Sequence, residues 1–113
     1  MKLVIPELEI SFQEYSDRAW ATAIFPKGDY DYAFHGLAGE SGEVSQLRKK
    51  AIRDSAGLLD PDVLAKELGD VLWYVNAIAK QHGLSLAGIA KGNVEKLESR
   101  QARGKLQGSG DNR

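Results

Sequence analysis

Read from its amino end, the chain repeats one pattern: apolar residues three and four places apart, broken by short polar or glycine-bearing stretches. That spacing marks helices with one buried face, and here it predicts four. Ser11 followed by Glu14 fits a capping box, and Ile10 with Tyr15 fits the hydrophobic staple that accompanies one. Phe12, Tyr15, Ala19 and Ala23 then share a stripe flanked by Trp20 and Ile24. This first helix should stop before Pro26, because proline disfavours helical geometry in the residue before it. Residues 26–32 (PKGDYDY) read as a loop, unusual in holding two tyrosines.

The second helix is predicted over Phe34–Arg53, with Leu37, Val44, Leu47 and Ala51 as its apolar stripe. Gly36, Gly39 and Gly42 each weaken it by roughly 1 kcal/mol against alanine, so they are expected to admit a close neighbour, either another helix or a ligand. Asp60-Pro61 reads as an N-cap followed by proline at the first helical position. The third helix then runs to about Gln81 and closes at Gly83. From Leu68 to Ala79 it is apolar nearly all round, interrupted only by Gly69, Asp70 and Asn76, and such a helix is buried on most sides. A small four-helix monomer lacks the area to cover it, so a homodimer or homotetramer is expected. Ser85 can cap a fourth helix, Leu86–Arg103, with Leu86, Ile89, Ala90, Val94 and Leu97 apolar. Residues 1–103 therefore read as one domain and 104–113 as a flexible, Gly-rich tail. The fold class is all-α, a four-to-five-helix bundle completed by oligomerisation.

Composition narrows the chemistry. At 113 residues this is one small domain. Fifteen basic residues against sixteen acidic ones give no pull toward nucleic acid or an anionic membrane. There is no cysteine, which excludes disulfides, thiolate catalysis and cysteine-bound zinc. The opening MKLVIPELEI is too short and too charged for a signal peptide, and no apolar run reaches the length needed to span a bilayer. A cytoplasmic protein is the expectation.

Against that background four acids stand out. Glu40 and Glu43 lie three residues apart on the second helix, and Glu67 and Asp70 repeat the spacing on the third. Residues at i and i+3 are neighbours on a helix face, so each pair aims two carboxylates the same way. Two facing pairs form a box of oxygens. An unpaired charge on an apolar stripe costs several kcal/mol, and clustered carboxylates raise one another's pKa. A divalent cation removes both penalties. All-oxygen ligation selects Mg²⁺, or Mn²⁺, over zinc or copper. Because Mg²⁺ commonly binds substrate phosphates as well, Lys50, Arg53, Asn93, Lys96 and Arg100 become candidate phosphate contacts. No Walker-type glycine loop is present.

The runs GLAGESGEVSQLRKK, KELGDVLWYV and NVEKLESR resemble the MazG-like, all-alpha nucleoside triphosphate pyrophosphohydrolases, whose signature is ExxE, a spacer, then ExxD. The resemblance covers roughly Tyr30 to Arg103. It implies a helical bundle of the MazG-like type that cleaves the α–β phosphate bond to give a nucleoside monophosphate and pyrophosphate. By the same similarity Glu40, Glu43, Glu67 and Asp70 are the catalytic and Mg²⁺-holding residues, with Glu43 favoured to relay a proton. Asn93, Lys96 and Arg100 match its downstream phosphate-binding positions. His35, Trp73 and Tyr74 are candidates to stack on the base, whereas Phe34 and Trp20 are assigned to core packing. Gly39 and Ser45 stand where many relatives carry further acids, which leaves the number of metal ions open. Arg103, Lys105 and Arg113 of the tail suit a lid over phosphates. Phosphoribosyl-ATP pyrophosphohydrolases share the fold and the acids, and a non-catalytic nucleotide- or partner-binding helical module is the remaining alternative.

Overall fold

The computed structural model describes residues 9–26 and 28–113, and among these all regular structure is helical. The reading of the first ten residues lies outside the described part for 1–8, as does Lys27 of the tyrosine-bearing loop. The helices are α1 (Phe12–Trp20), α2 (Tyr32–Asp54), α3 (Pro61–Gln81) and α4 (Leu86–Ala102).

Their ends follow from short-range chemistry. Ser11 Oγ accepts from Glu14 N–H at 3.0 Å, the first half of the expected capping box, while the Glu14 carboxylate turns to Arg18 at 3.4 Å. Asp60 Oδ1 accepts from Asp62 N–H at 2.9 Å with Pro61 opening α3, and Ser85 Oγ accepts from Gly88 N–H at 3.0 Å. Gly83, at φ 68°, turns the chain out of α3 so that Leu84 N–H reaches Ala79 O at 2.8 Å. That left-handed residue and its six-to-one bond close a helix in the Schellman manner.

Two boundaries differ from the periodicity. α2 begins at Tyr32, ahead of Phe34, because Asp29 Oδ1 accepts from both Asp31 N–H (2.9 Å) and Tyr32 N–H (3.2 Å), capping the helix from the preceding loop. α1 ends at Trp20, short of Ile24. Its Ala19 carbonyl is taken by Thr22 Oγ1 (2.7 Å) and by Trp73 Nε1 (3.2 Å), so the chain leaves the helix and carries Phe25 into the core.

α2 and α3, joined by a short connection, form an antiparallel hairpin that is the spine of the molecule. α1 packs on α3, and α4 packs on α1 and α3 but not on α2. The core is small: Phe25, Ala33 and Ala77, with Trp20, Ala23, Trp73, Tyr74 and Ile78 packed against it. Phe25 stacks on Tyr32 at 4.6 Å between ring centroids and meets Trp73 edge-on at 6.2 Å. Trp20 thus joins the core as expected. Phe34 does not; half-exposed, it meets the edge of His82.

Polar contacts fix α1 to α3. Ser16 Oγ donates to Asn76 Oδ1 at 2.6 Å, and Asn76 Nδ2 donates back to Ser16 O at 3.0 Å, both residues buried. A reciprocal pair of this kind satisfies groups that would otherwise be expensive to bury. Lys80 Nζ adds an ion pair to Asp17 at 2.8 Å.

Tyr74 lies so close against α2 at Gly36 that a β-carbon there would collide with its ring, whereas Gly39 and Gly42 have open space where theirs would point. Of the three glycines only Gly36 serves the close approach expected of all of them, within one chain. Much of the apolar periodicity also stays uncovered: Leu68, Leu72, Ile52, Leu58, Val63, Ile89, Val94 and Leu97 are exposed. The burial expected around α3 is therefore incomplete in the single chain.

Candidate metal and nucleotide site

Antiparallel packing of α2 on α3 brings the two acidic motifs face to face. One carboxylate oxygen each from Glu40, Glu67 and Asp70 lies within 4.8 Å of the others. Glu43, one turn on from Glu40, stands outside that trio and is exposed, though its charge still reaches Glu40. Burial differs from the sequence argument: Glu40 and Glu67 are half-buried, but Asp70, on the apolar helix, is exposed in one chain.

Glu40 records what its neighbours do. Partial desolvation, then the charges of Asp70, Glu67 and Glu43, push its carboxyl above the ordinary value. No cation offsets them, and no ion pair among the described residues involves any of the four acids. Arg48, a conceivable partner, donates instead to Gly57 O at 2.6 Å.

The acids suit a hard divalent cation. The donors are all carboxylate oxygens, and the oxygens around one octahedral Mg²⁺ stand roughly 3–4 Å apart when each bond is 2.0–2.1 Å. The observed separations, none above 4.8 Å, come near that range. The cluster is also repulsive as it stands, which a dication relieves.

Beside the acids opens a cavity of about 370 Å³ lined by Thr22, Ile24, Phe25, Tyr32, Trp73 and Tyr74, with Glu40 and Asp70 in its wall. It exists because α1 ends early and the chain crosses over α3. Trp73 is held by its indole N–H, which donates to Ala19 O and to Thr22 Oγ1 at 3.0 Å. Tyr74 is held by the Gly36 notch and meets Trp73 edge-on at 5.0 Å. Burial foremost, then the charge of Tyr32 and a hydrogen bond to it, then the charges of Glu40 and Asp70, raise the Tyr74 pKa. The same site thus joins an aromatic wall to the acidic cluster.

Of the base-stacking candidates, Trp73 and Tyr74 line this cavity, whereas His35 is exposed on α2 and does not. Phe25, Tyr32, Thr22 and Ile24 were missed. The tyrosines of the loop were the available signal, but Phe25 enters only because α1 stops early. The two candidate cations of α2 lie apart from Glu40. At 1.5 Å per residue, Lys50 and Arg53 sit roughly 15 and 20 Å along α2 from Glu40. There Arg53 makes a two-pronged pair with Asp54 (2.7 and 2.8 Å) and Lys50 adds its charge, together lowering the Asp54 pKa. Asn93, Lys96 and Arg100 ride on α4, which packs on α3 but not on α2.

No helix of the described chain is long and apolar enough to cross a membrane. The family model for the MazG nucleotide pyrophosphohydrolase domain matches residues 30–104, the stretch holding both acidic motifs and α4. Among curated proteins, the "Gene 37 protein" of Mycobacterium phage L5 is 44% identical over 109 residues, covering 88% of this chain and 96% of the phage protein. No solved structure gives a significant match.

Proposed function

The chain belongs to the MazG nucleotide pyrophosphohydrolase domain family, and from that premise we propose that it hydrolyses the α–β anhydride of nucleoside triphosphates to a monophosphate and pyrophosphate. The observation that carries this reading is the junction of two features in one place: three convergent carboxylates, and an aromatic cavity with two of those carboxylates in its wall. Glu40, Glu67 and Asp70 would hold Mg²⁺, with Mn²⁺ as a substitute. Bound there, the cation would supply Lewis-acid charge to the phosphates and acidify water at neutral pH. Glu43, outside the trio but on the same helix face, accepts the proton of the attacking water. Trp73 and Tyr74, with Phe25 and Tyr32 beside them in the cavity wall, would receive the base.

The phosphate contacts proposed for Lys50 and Arg53 would come from a second copy of the chain, since both stand well along α2 from Glu40, while Asn93, Lys96 and Arg100 ride on α4, which packs on α3. Three features support a homodimer or homotetramer. α4 leaves α2 uncovered, the apolar side chains of α3 and α4 are exposed, and the radius of gyration is 16.9 Å against about 13 Å for a compact chain of this length.

The test is pyrophosphate release from a panel of ribo- and deoxyribonucleoside triphosphates with Mg²⁺, with Glu67→Gln as control. Release that requires the metal and falls by about 100-fold or more in the variant supports the reading. Turnover of phosphoribosyl-ATP alone would replace the substrate. Silence from protein that still binds Mg²⁺ would make it a binding module.

A further inference from the structure

Beyond α4 the chain turns back on that helix. Gly104, at φ 66°, makes the turn, and Lys105 N–H donates to Arg100 O at 2.6 Å. Arg113 then ties the returning segment into a closed loop. Its guanidinium donates to Lys105 O (3.1 Å), Leu106 O (2.9 Å) and Gly110 O (2.6 Å), while Arg103 Nη2 donates to Arg113 O at 3.0 Å. Two of the tail's cations are thus spent on its own backbone, not held out toward a phosphate.

What this loop presents to α4 is a carboxylate. Asp111 Oδ1 lies 3.3 Å from Lys96 Nζ and 3.4 Å from Arg100 Nη2, which also donates to Asp111 O at 2.8 Å. Lys96, foremost, and Arg100 hold the Asp111 carboxyl below its ordinary pKa. Arg100 is only 4% exposed, yet its Nε–H is buried with no acceptor. A guanidinium fork is best matched by an oxyanion that takes two of its donors in parallel. The tail takes Nη2 and leaves the adjacent Nε without an acceptor.

We infer that residues 104–113 act as a self-ligand, with Asp111 occupying the Lys96–Arg100 cation pair in place of a phosphate oxygen and leaving before that pair takes substrate. The inference rests on the reading above that this pair receives the phosphates. Asp111 is 86% exposed, so its grip is that of a surface ion pair and a polyphosphate displaces it readily. The tail therefore tunes affinity and not the chemical step.

The experiment measures binding of Mg²⁺-pyrophosphate by calorimetry, which needs no turnover, in the full chain, in Asp111→Asn and in a chain ending at Arg103. The two altered chains should bind about two- to fivefold tighter, the range of an exposed ion pair. In a Lys96→Gln background, Asp111→Asn should add less, since only the Arg100 half of the pair remains to be freed. Where triphosphate is turned over, KM should fall by a similar factor with kcat unchanged. Equal or weaker binding in Asp111→Asn, with its melting temperature retained, overturns the self-ligand. So does an absence of pyrophosphate binding in every form. Tighter binding without turnover of any nucleotide keeps the self-ligand and overturns only the enzyme reading.

Discussion

Replacing Gly36 by alanine separates close packing from helix propensity on one helix. Gly36, Gly39 and Gly42 recur every third residue in α2, and each alanine should return roughly 1 kcal/mol of propensity. At Gly39 and Gly42 the new methyl meets open space, so that gain should appear nearly whole. At Gly36 the methyl overlaps the ring of Tyr74, which cannot retreat freely because Trp73 stands against it. Forcing an extra carbon into a packed contact costs about 1–3 kcal/mol. Subtracting the mean of the Gly39→Ala and Gly42→Ala values from the Gly36→Ala value cancels the propensity term, so the difference should itself be about 1–3 kcal/mol. For domains near this size 1 kcal/mol corresponds to roughly 4–8 °C in Tm. Differential scanning calorimetry at one fixed protein concentration resolves that easily; the concentration must be fixed because assembly shifts Tm by mass action. Equal shifts in all three variants would refute the Gly36–Tyr74 contact. Destabilisation at Gly39 or Gly42 would instead reveal a second copy lying over them. Because Tyr74 also lines the cavity, Gly36→Ala should weaken nucleotide binding as well, while the other two should leave it unchanged.

Two further outcomes follow from buried or clustered polar groups. Asn76→Ala strips both partners from Ser16 and should cost about 1–3 kcal/mol in urea unfolding; an unchanged midpoint would mean that water enters and replaces the lost bonds. Glu40 makes metal-free stability depend on pH. Its folded-state pKa lies above the ordinary value near 4.5, so its stabilising contribution is present below that value and lost as pH rises through the raised one. Glu40→Gln should therefore flatten that descent and raise the metal-free Tm at neutral pH, while Mg²⁺ should stabilise the natural chain more than the variant. Thermal melts from pH 4 to 8, with and without Mg²⁺, read all of this, and a variant less stable than the natural chain at neutral pH without metal would refute the repulsion.

The contrast between what the chain announces and what only its folding reveals runs along a line of distance. Helix ends set by nearest neighbours were legible: Ser11, Asp60, Ser85 and Gly83 act through bonds that span five residues or fewer. The two acidic motifs were legible too, since i, i+3 spacing on a helix aims side chains together whatever the helix packs against. Where α1 ends was not, because the Ala19 carbonyl is claimed by Trp73, 54 residues away, and that early end is what places Phe25 and Thr22 in the cavity. Asn76 read as a blemish on an apolar helix until Ser16, 60 residues away, supplied both of its partners. The cations of α4 read as free phosphate contacts, and the turn at Gly104 instead laid Asp111 across them. By itself the sequence determined four helices, the N-caps of three of them and the spacing of the acids, all matters of local geometry. Tertiary structure alone decided which oxygens converge, which rings wall the cavity and which cations are already taken, because each depends on surfaces that meet only when distant segments pack.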